Sequence, residues 1–330
     1  GLHNLETVWG SLDIKSNVSL TSLEALDNLN NVYNLTISGN DALTTLNGLQ
    51  GLERIGLDPN IPFGGLSINN NNGLISLEGL NNLHTINSYL RINRNESLVS
   101  LNGLNNLETI GASLEIGHNP SLVSLDALDN LTRFGVYSFT YPNALAIGHN
   151  DSLTSIEGLM NVTEANSGTV PINIESNPLL TSLSGLDNFP VNAIGFVSLQ
   201  HNGELSICSI PSICGFIATN PPSNKLRIDD NIDGCNTTVE VEDACEALGV
   251  EDINLDSSIT LHPNPMQETL TVSTANEIVI EAIKLYDTTG KLIISASGEQ
   301  ETINVANLSS GIYFISIETN KGLHQQKLVK

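Results

Sequence analysis

Nine stretches of the chain share one arrangement of apolar and polar positions, L-x-I-x-x-N-x-x-L-x-S-L-x-G-L-x-N-L-x-x-I. They begin at Leu12, Leu35, Leu66, Leu90, Leu114, Leu145, Ile172, Val197 and Leu226. In the first copy the apolar positions after Ile14 fall at Leu20, Leu23, Leu26, Leu29 and Val32, every third residue. An amphipathic α-helix would repeat them every ~3.6 residues, so this spacing excludes one. Steps of three fit 3₁₀ turns or extended polyproline-like segments with each third side chain inward. The single step of two, Leu12 to Ile14, fits a short β-strand with both residues facing in. Each copy is therefore expected to form one coil, a strand followed by tight turns. Strands of successive coils should lie about 4.8 Å apart in a parallel sheet. A single coil cannot bury its own leucines, so its neighbours have to supply the core.

The asparagine of the pattern recurs as Asn17, Asn40, Asn71, Asn95, Asn119, Asn150, Asn177, Asn202 and Asn231. It falls where the chain turns inward after the strand. There an amide can bond the backbone of its own coil and the next, giving a ladder of buried polar groups satisfied in series. The copy from Leu226 lacks the leucine train and carries Cys235 and Cys245 around a polar run, which reads as a stapled cap. At the other end GLHNLETVWGS reads as the tail of an earlier copy, so further sequence is expected upstream. Over residues 1–248 the pattern resembles the leucine-rich receptor L-domain family. The resemblance implies a single-stranded right-handed β-solenoid like those of insulin-type receptor ectodomains. It implies a fold only, since a fold does not fix a function.

Beyond Cys245 the repeat stops, and residues 249–256 read as an acidic linker. From Ile259 apolar and polar residues alternate in ETLTVS, IVIEAIKLYD, KLIISAS, ETINVA, GIYFISIE and LHQQKLVK, with turn signals at residues 287–290 and 309–311. Some seven short strands over residues 257–330 imply a small Ig-like β-sandwich, making the whole chain all-β. This segment is similar to the type A C-terminal sorting domain of the type IX secretion system. The likeness rests on Pro263-Asn264-Pro265, on Leu285-Tyr286-Asp287 with Gly290-Lys291, on Leu308-Ser309-Ser310-Gly311-Ile312-Tyr313, and on Lys327, Leu328 and Lys330. It implies export across the outer membrane of a gram-negative bacterium, with the secretion machinery as partner. Removal of the domain is expected to cut within residues 246–258, leaving a released or surface-attached protein.

Charge narrows the partners. The chain carries 12 basic and 36 acidic residues, a formal net charge of −24, and residues 1–248 hold 7 of the bases and 26 of the acids. Such a surface repels phosphate backbones and anionic lipid, which argues against nucleic acid. No apolar run approaches the ~18 residues of a membrane span. The four cysteines, 208, 214, 235 and 245, read as two disulfides in an oxidising compartment, expected as Cys208–Cys214 and Cys235–Cys245. Their gaps are wider than those of zinc ligand pairs.

Several constellations carry chemistry on paper. Asp229, Asn231, Asp233, Gly234 and Glu240 satisfy the spacing of an EF-hand calcium loop. Yet Asn231 lies on the ladder and Cys235 is expected in a disulfide, so the repeat already accounts for most of the match. His118, His149 and His201 each precede a ladder asparagine, and the first two, on adjacent coils, would still need a third metal ligand. Ser22, Thr45, Ser76, Ser100, Ser124, Ser155 and Ser182 form a hydroxyl column. Ice-binding solenoids carry such arrays, but Ile75, Val99 and Val123 interrupt the neighbouring threonine file, and bonding to turn backbone explains the hydroxyls. The carboxylates scatter over exposed turns without pairing, and no catalytic or cofactor-binding residue emerges.

A binding surface remains. Outward sheet positions are Asp13, Thr36, Ser67, Arg91, Glu115, Ala146, Asn173, Ser198 and Arg227, mostly polar. Insertions at 56–65, 135–144 and 163–171 interrupt the repeat just before a strand. The second carries Tyr137, Phe139 and Tyr141, a candidate ligand loop on a rigid scaffold. The expected function is therefore that of a secreted or cell-surface recognition or adhesion protein, not an enzyme, binding an extracellular protein or glycan. The alternatives are an accessory part of a polymer-degrading enzyme whose catalytic domain lies upstream, and a surface-layer spacer.

Overall fold

The computed structural model describes residues 2–56, 64–135, 144–165, 170–247, 259–274, 278–297, 302–319 and 322–330. The expected linker at 249–256 and the loop residues Tyr137, Phe139 and Tyr141 lie outside them. The chain divides into two compact units, Gly1–Val250 and Glu251–Lys330.

In the first unit each repeat adds one strand to a large parallel sheet. The strands are Thr7–Lys15, Asn31–Ser38, Leu66–Asn69, Leu90–Asn93, Leu114–Gly117, Leu145–Gly148, Val170–Glu175, Ile194–Gln200 and Leu226–Asp229, each paired with the next. The apolar pattern sets the register, because a slip of one residue would turn every inward side chain outward. Leu66 pairs with Leu90, Leu90 with Leu114 and Leu114 with Leu145, while Ile68, Ile92, Ile116 and Ile147 pair likewise. A second file of two-residue strands, Arg54–Ile55, Thr85–Ile86, Thr109–Ile110, Arg133–Phe134 and Glu164–Ala165, joins the same 14-stranded sheet through Asn31–Ser38. Between the files the leucines spaced by three sit on tight turns, several of them 3₁₀, such as Asp126–Leu128 and Glu157–Leu159. From Leu23 onward their side chains are buried in one continuous core, against which Leu20 packs partly buried.

Two helices depart from the all-β expectation. The first, α1, spans Pro211–Ala218 and the second, α2, Thr238–Ala247. Proline at the start of α1 needs no hydrogen-bonded N–H there. At the start of α2 the Glu240 carboxylate accepts from the backbone N–H groups of Gly234 (2.9 Å) and Asn236 (3.1 Å). The Glu240 N–H in turn donates to the Thr237 hydroxyl at 3.2 Å. This reciprocal satisfaction of orphan donors starts a helix. Val241 and Cys245, four residues apart, are its buried face.

The disulfides are Cys208–Cys235 and Cys214–Cys245, not the expected Cys208–Cys214 and Cys235–Cys245. Their sequence separations, 27 and 31, are those of one repeat. Stacking places a residue beside its counterpart one coil later, so partners lie across layers and not along the chain. Cys208 points into the core column while Cys214 rides on α1, facing α2, and the Cα atoms of the observed pairs are 5.9 and 5.5 Å apart, within bridging distance.

The second unit has a three-stranded antiparallel sheet, Ile259–His262, Thr269–Thr274 and Thr302–Asn304. Its four-stranded antiparallel sheet comprises Leu292–Ser297, Ile280–Asp287, Ile312–Thr319 and Gly322–Val329. Both sheets contribute to one core that includes Leu270, Val272, Ile303, Ile283, Leu285, Ile315 and Leu328.

Candidate functional site

The asparagines shape the surface of the first unit from within. Asn71 donates from Nδ2 to the Ile37 carbonyl of the preceding coil at 3.0 Å and to Asn95 Oδ1 of the next at 3.3 Å. Its backbone N–H reaches the same Oδ1 at 3.0 Å. Asn95, Asn119, Asn150, Asn177 and Asn202 repeat the arrangement. Asn231 ends it by donating to the Leu199 and Cys235 carbonyls, both at 2.9 Å. From Asn40 to Asn202 the ladder is fully buried, whereas Asn17, at its start, is exposed.

A second asparagine file, whose role the pattern alone did not disclose, runs along the surface. Asn28, Asn82, Asn106, Asn130, Asn161 and Asn188 each donate from Nδ2 to a carbonyl one coil back, at 2.6–3.0 Å. Its signal was the recurrent asparagine before a core leucine in the repeat.

The turn that aims each ladder amide inward needs a left-handed residue just before it. Arg94, His118, His149 and His201 all sit there with φ of 56–57°. The rings of His118 and His149 stack in parallel, 4.4 Å between centroids and 6° between planes. Rings stacked this way direct their nitrogen lone pairs side by side, so they do not converge on one ion. Burial, and then the charge of His149, hold His118 below the ordinary imidazole value of 6.5. His201 faces Asp230 at 3.1 Å.

The residues of the calcium-loop spacing are engaged separately. Asp229 accepts from the Gln200 amide, Asn231 belongs to the ladder, Glu240 caps α2, and Asp233 is exposed. Among the described residues no three His, Cys, Asp or Glu side chains gather as a metal site requires. The serine hydroxyls accept turn N–H groups two residues on, as Ser100 does from Asn102 at 3.0 Å and Ser155 from Glu157 at 3.1 Å.

What the sheet face offers is a concavity of about 330 Å³, lined by Tyr89, Leu90, Arg91, Ser113, Glu115, Ala144 and Ala146. Arg91 Nε donates to Glu115 Oε2 at 2.7 Å, and Asn93 Nδ2 to Glu115 Oε1 at 2.6 Å. The guanidinium carbon lies 5.5 Å from the centre of the Tyr89 ring. The Tyr89 hydroxyl donates to Asn34 Oδ1 at 2.9 Å, and its ring covers Gly65, where a Cβ would come within 2.7 Å of ring atoms. Four planar polar groups from three coils thus hold one another, half exposed, over a floor of alanines. Ala144 directly follows the segment that carries Tyr137, Phe139 and Tyr141.

In the second unit the sorting-signal residues meet at the end of the last strand. Asn264, between Pro263 and Pro265, accepts from the Val329 N–H at 3.1 Å, and the Met266 N–H donates to the Val329 carbonyl at 2.6 Å. Gly311 and Lys330 exchange both backbone hydrogen bonds, at 3.1 and 2.9 Å, and Lys330 Nζ donates to the Gln267 carbonyl. The buried Tyr313 donates its hydroxyl to the Ser309 carbonyl at 2.9 Å. Gly290, with φ of 80°, closes the turn whose Asp287 carboxylate accepts from Thr289 and from the Lys291 N–H. Lys327 is exposed opposite Phe314. Residues 260–330 match the profile of the secretion system C-terminal sorting domain. This segment is such a sorting domain. A search of curated proteins gives no match to the chain. The sorting domain marks a protein exported by the type IX secretion system, and with the two disulfides it indicates a secreted or cell-surface location. Among the described residues no helix is long and apolar enough to cross a membrane.

Proposed function

We propose that this chain is a recognition or adhesion protein of a gram-negative bacterium, delivered to the cell surface or medium by its type A sorting domain. In this reading residues 1–248 form a leucine-rich β-solenoid of the receptor L-domain kind, capped by α1, α2 and the two disulfides. Residues 257–330 form an Ig-like sandwich, and 249–256 link the two. The carrying observation is the half-exposed Tyr89–Arg91–Glu115 cluster over its concavity, polar groups fixed on a rigid sheet with no nucleophile–base pair among the described residues that line it. Preformed polar groups around a small apolar floor are what a binding site needs. The ligand is an extracellular protein or glycan, and no cofactor takes part. The test is to probe the purified full chain against arrays of extracellular proteins and of glycans. Reproducible capture by one class supports the reading, whereas binding to neither favours a surface-layer spacer, and cleavage of an arrayed polymer favours the enzyme accessory.

A further inference from the structure

We infer that the concavity between Arg91 and Ala146 holds a neutral glycan segment, an inference that rests on the repeat unit being a binding module. The polar groups there are planar and already fixed. Glu115 holds Arg91 and Asn93 at 2.7 and 2.6 Å, and the guanidinium carbon lies over the Tyr89 ring, 5.5 Å from its centre. Within the described residues only Nε of that guanidinium is engaged by a hydrogen bond, and its side chain is 48% exposed, so the Nη hydrogens are available. The Arg91 guanidinium and the Glu115 carboxylate each carry their polar atoms in a plane, at the spacing at which neighbouring hydroxyls of a pyranose ring donate and accept in pairs. Little ordering is left to be done on binding.

The floor and the charge select the class. Ala144 and Ala146 present methyl groups only, and the outward positions that follow Glu115 and Ala146 on their paired strands, Gly117 and Gly148, bear no side chain. At Gly148 none would fit easily, since a Cβ would lie 2.9 Å from the Glu175 carbonyl oxygen. Such a floor takes the C–H face of a sugar. An acidic polymer meets a region with 26 acids and 7 bases, and Arg91, the one cation among the described lining residues, is already balanced by Glu115. A peptide cannot add as a strand, because Leu90–Asn93 is paired on one side with Leu66–Asn69 and on the other with Leu114–Gly117. The volume of about 330 Å³ falls in the range of small-ligand sites, roughly 300–1,000 Å³.

The experiment uses the full chain on an array of neutral hexose oligosaccharides beside uronic-acid and sulfated ones, followed by titration calorimetry with the best neutral oligosaccharide. Three variants accompany it: Ala146→Trp, which fills the concavity; Arg91→Lys, which keeps the charge and loses the planar fork; and Thr181→Trp, an exposed control off the sheet face. The expected result is capture of neutral oligosaccharides, weakened about tenfold or more in Ala146→Trp and Arg91→Lys at unchanged melting temperature, and unaltered in Thr181→Trp. Should Ala146→Trp unfold, Arg91→Lys carries the comparison. Preference for acidic glycans, or neutral binding that both variants retain, overturns the inference. Capture of proteins but no glycans overturns it while leaving the recognition reading intact; capture of neither removes both.

Discussion

Asn119 shows what a single buried amide does in this molecule. It donates to the Ile92 carbonyl and to Asn150 Oδ1, while its own Oδ1 accepts two bonds from Asn95. Replacing it with alanine strands several buried groups at once, each costing ~1–3 kcal/mol, so Asn119→Ala should lose at least ~3 kcal/mol in urea denaturation. Asn17, exposed at the end of the file, should lose under ~1 kcal/mol on the same change. Ser88 is the converse case. Its hydroxyl is buried without a hydrogen-bond partner, so Ser88→Ala should be neutral or stabilising by up to ~1 kcal/mol. A third residue-scale expectation concerns pH. The folded protein holds His118 below its ordinary value, so the unfolded chain binds the proton more readily. Stability from this group is therefore present above the ordinary imidazole range and falls as the pH drops through it. Melting temperature recorded from pH 8 to 5 should decline on the acid side, and His118→Asn, which tolerates the left-handed turn, should flatten that decline.

At the scale of elements, the turns carry both the regularity of the sequence and its exceptions. Gly103 has φ of 115°, and a Cβ there would lie 2.0 Å from the Leu77 carbonyl oxygen. Gly103→Ala should therefore cost ~2–4 kcal/mol by calorimetry. One coil later Ala127 occupies the matching position on a 3₁₀ turn, and Ala127→Gly should cost no more than ~1 kcal/mol. The strands were legible because leucine and isoleucine at a step of two admit a single inward register, and the tight turns because a step of three excludes a long helix. Helices α1 and α2 were not, since each is too short to show a periodicity against the repeat around it. Cysteine partners were misassigned for a related reason. Proximity along the chain is a poor guide where stacking brings residues one repeat apart together, as it does for Cys208 and Cys235. Peptide mapping of the oxidised protein should recover the 208–235 and 214–245 links. The Cys214→Ala/Cys245→Ala double variant should lose ~2–4 kcal/mol by detaching α2 from α1. Of the candidate site, Arg91, Glu115 and Ala146 were legible as outward positions. The concavity itself depends on Tyr89 lying back over Gly65, a packing relation that no single copy encodes.

At the scale of the whole molecule, the chain has two units with separate cores, and the second of them is the sorting domain. The second unit is closed by its own last residues: Val329 is clamped between Asn264 and Met266, and Lys330 pairs with Gly311. Removing only Val329 and Lys330 takes away the bonds that hold the final strand to the Pro263–Pro265 segment and to the Gly311 turn. The full chain should melt in two transitions, the sorting domain's separate from that of the repeat unit. The two-residue deletion should lower the former by several degrees, as expected for ~1–2 kcal/mol in a domain of this size, and leave the latter in place. In the native host, protein reaching the surface or medium should fall in step. A chain ending at residue 247 should keep both disulfides and the repeat unit's melting temperature while failing to leave the cell. If that shortened chain were instead unfolded, the two cores would depend on each other, and export could not be separated from the folding of the repeat unit by cutting between them.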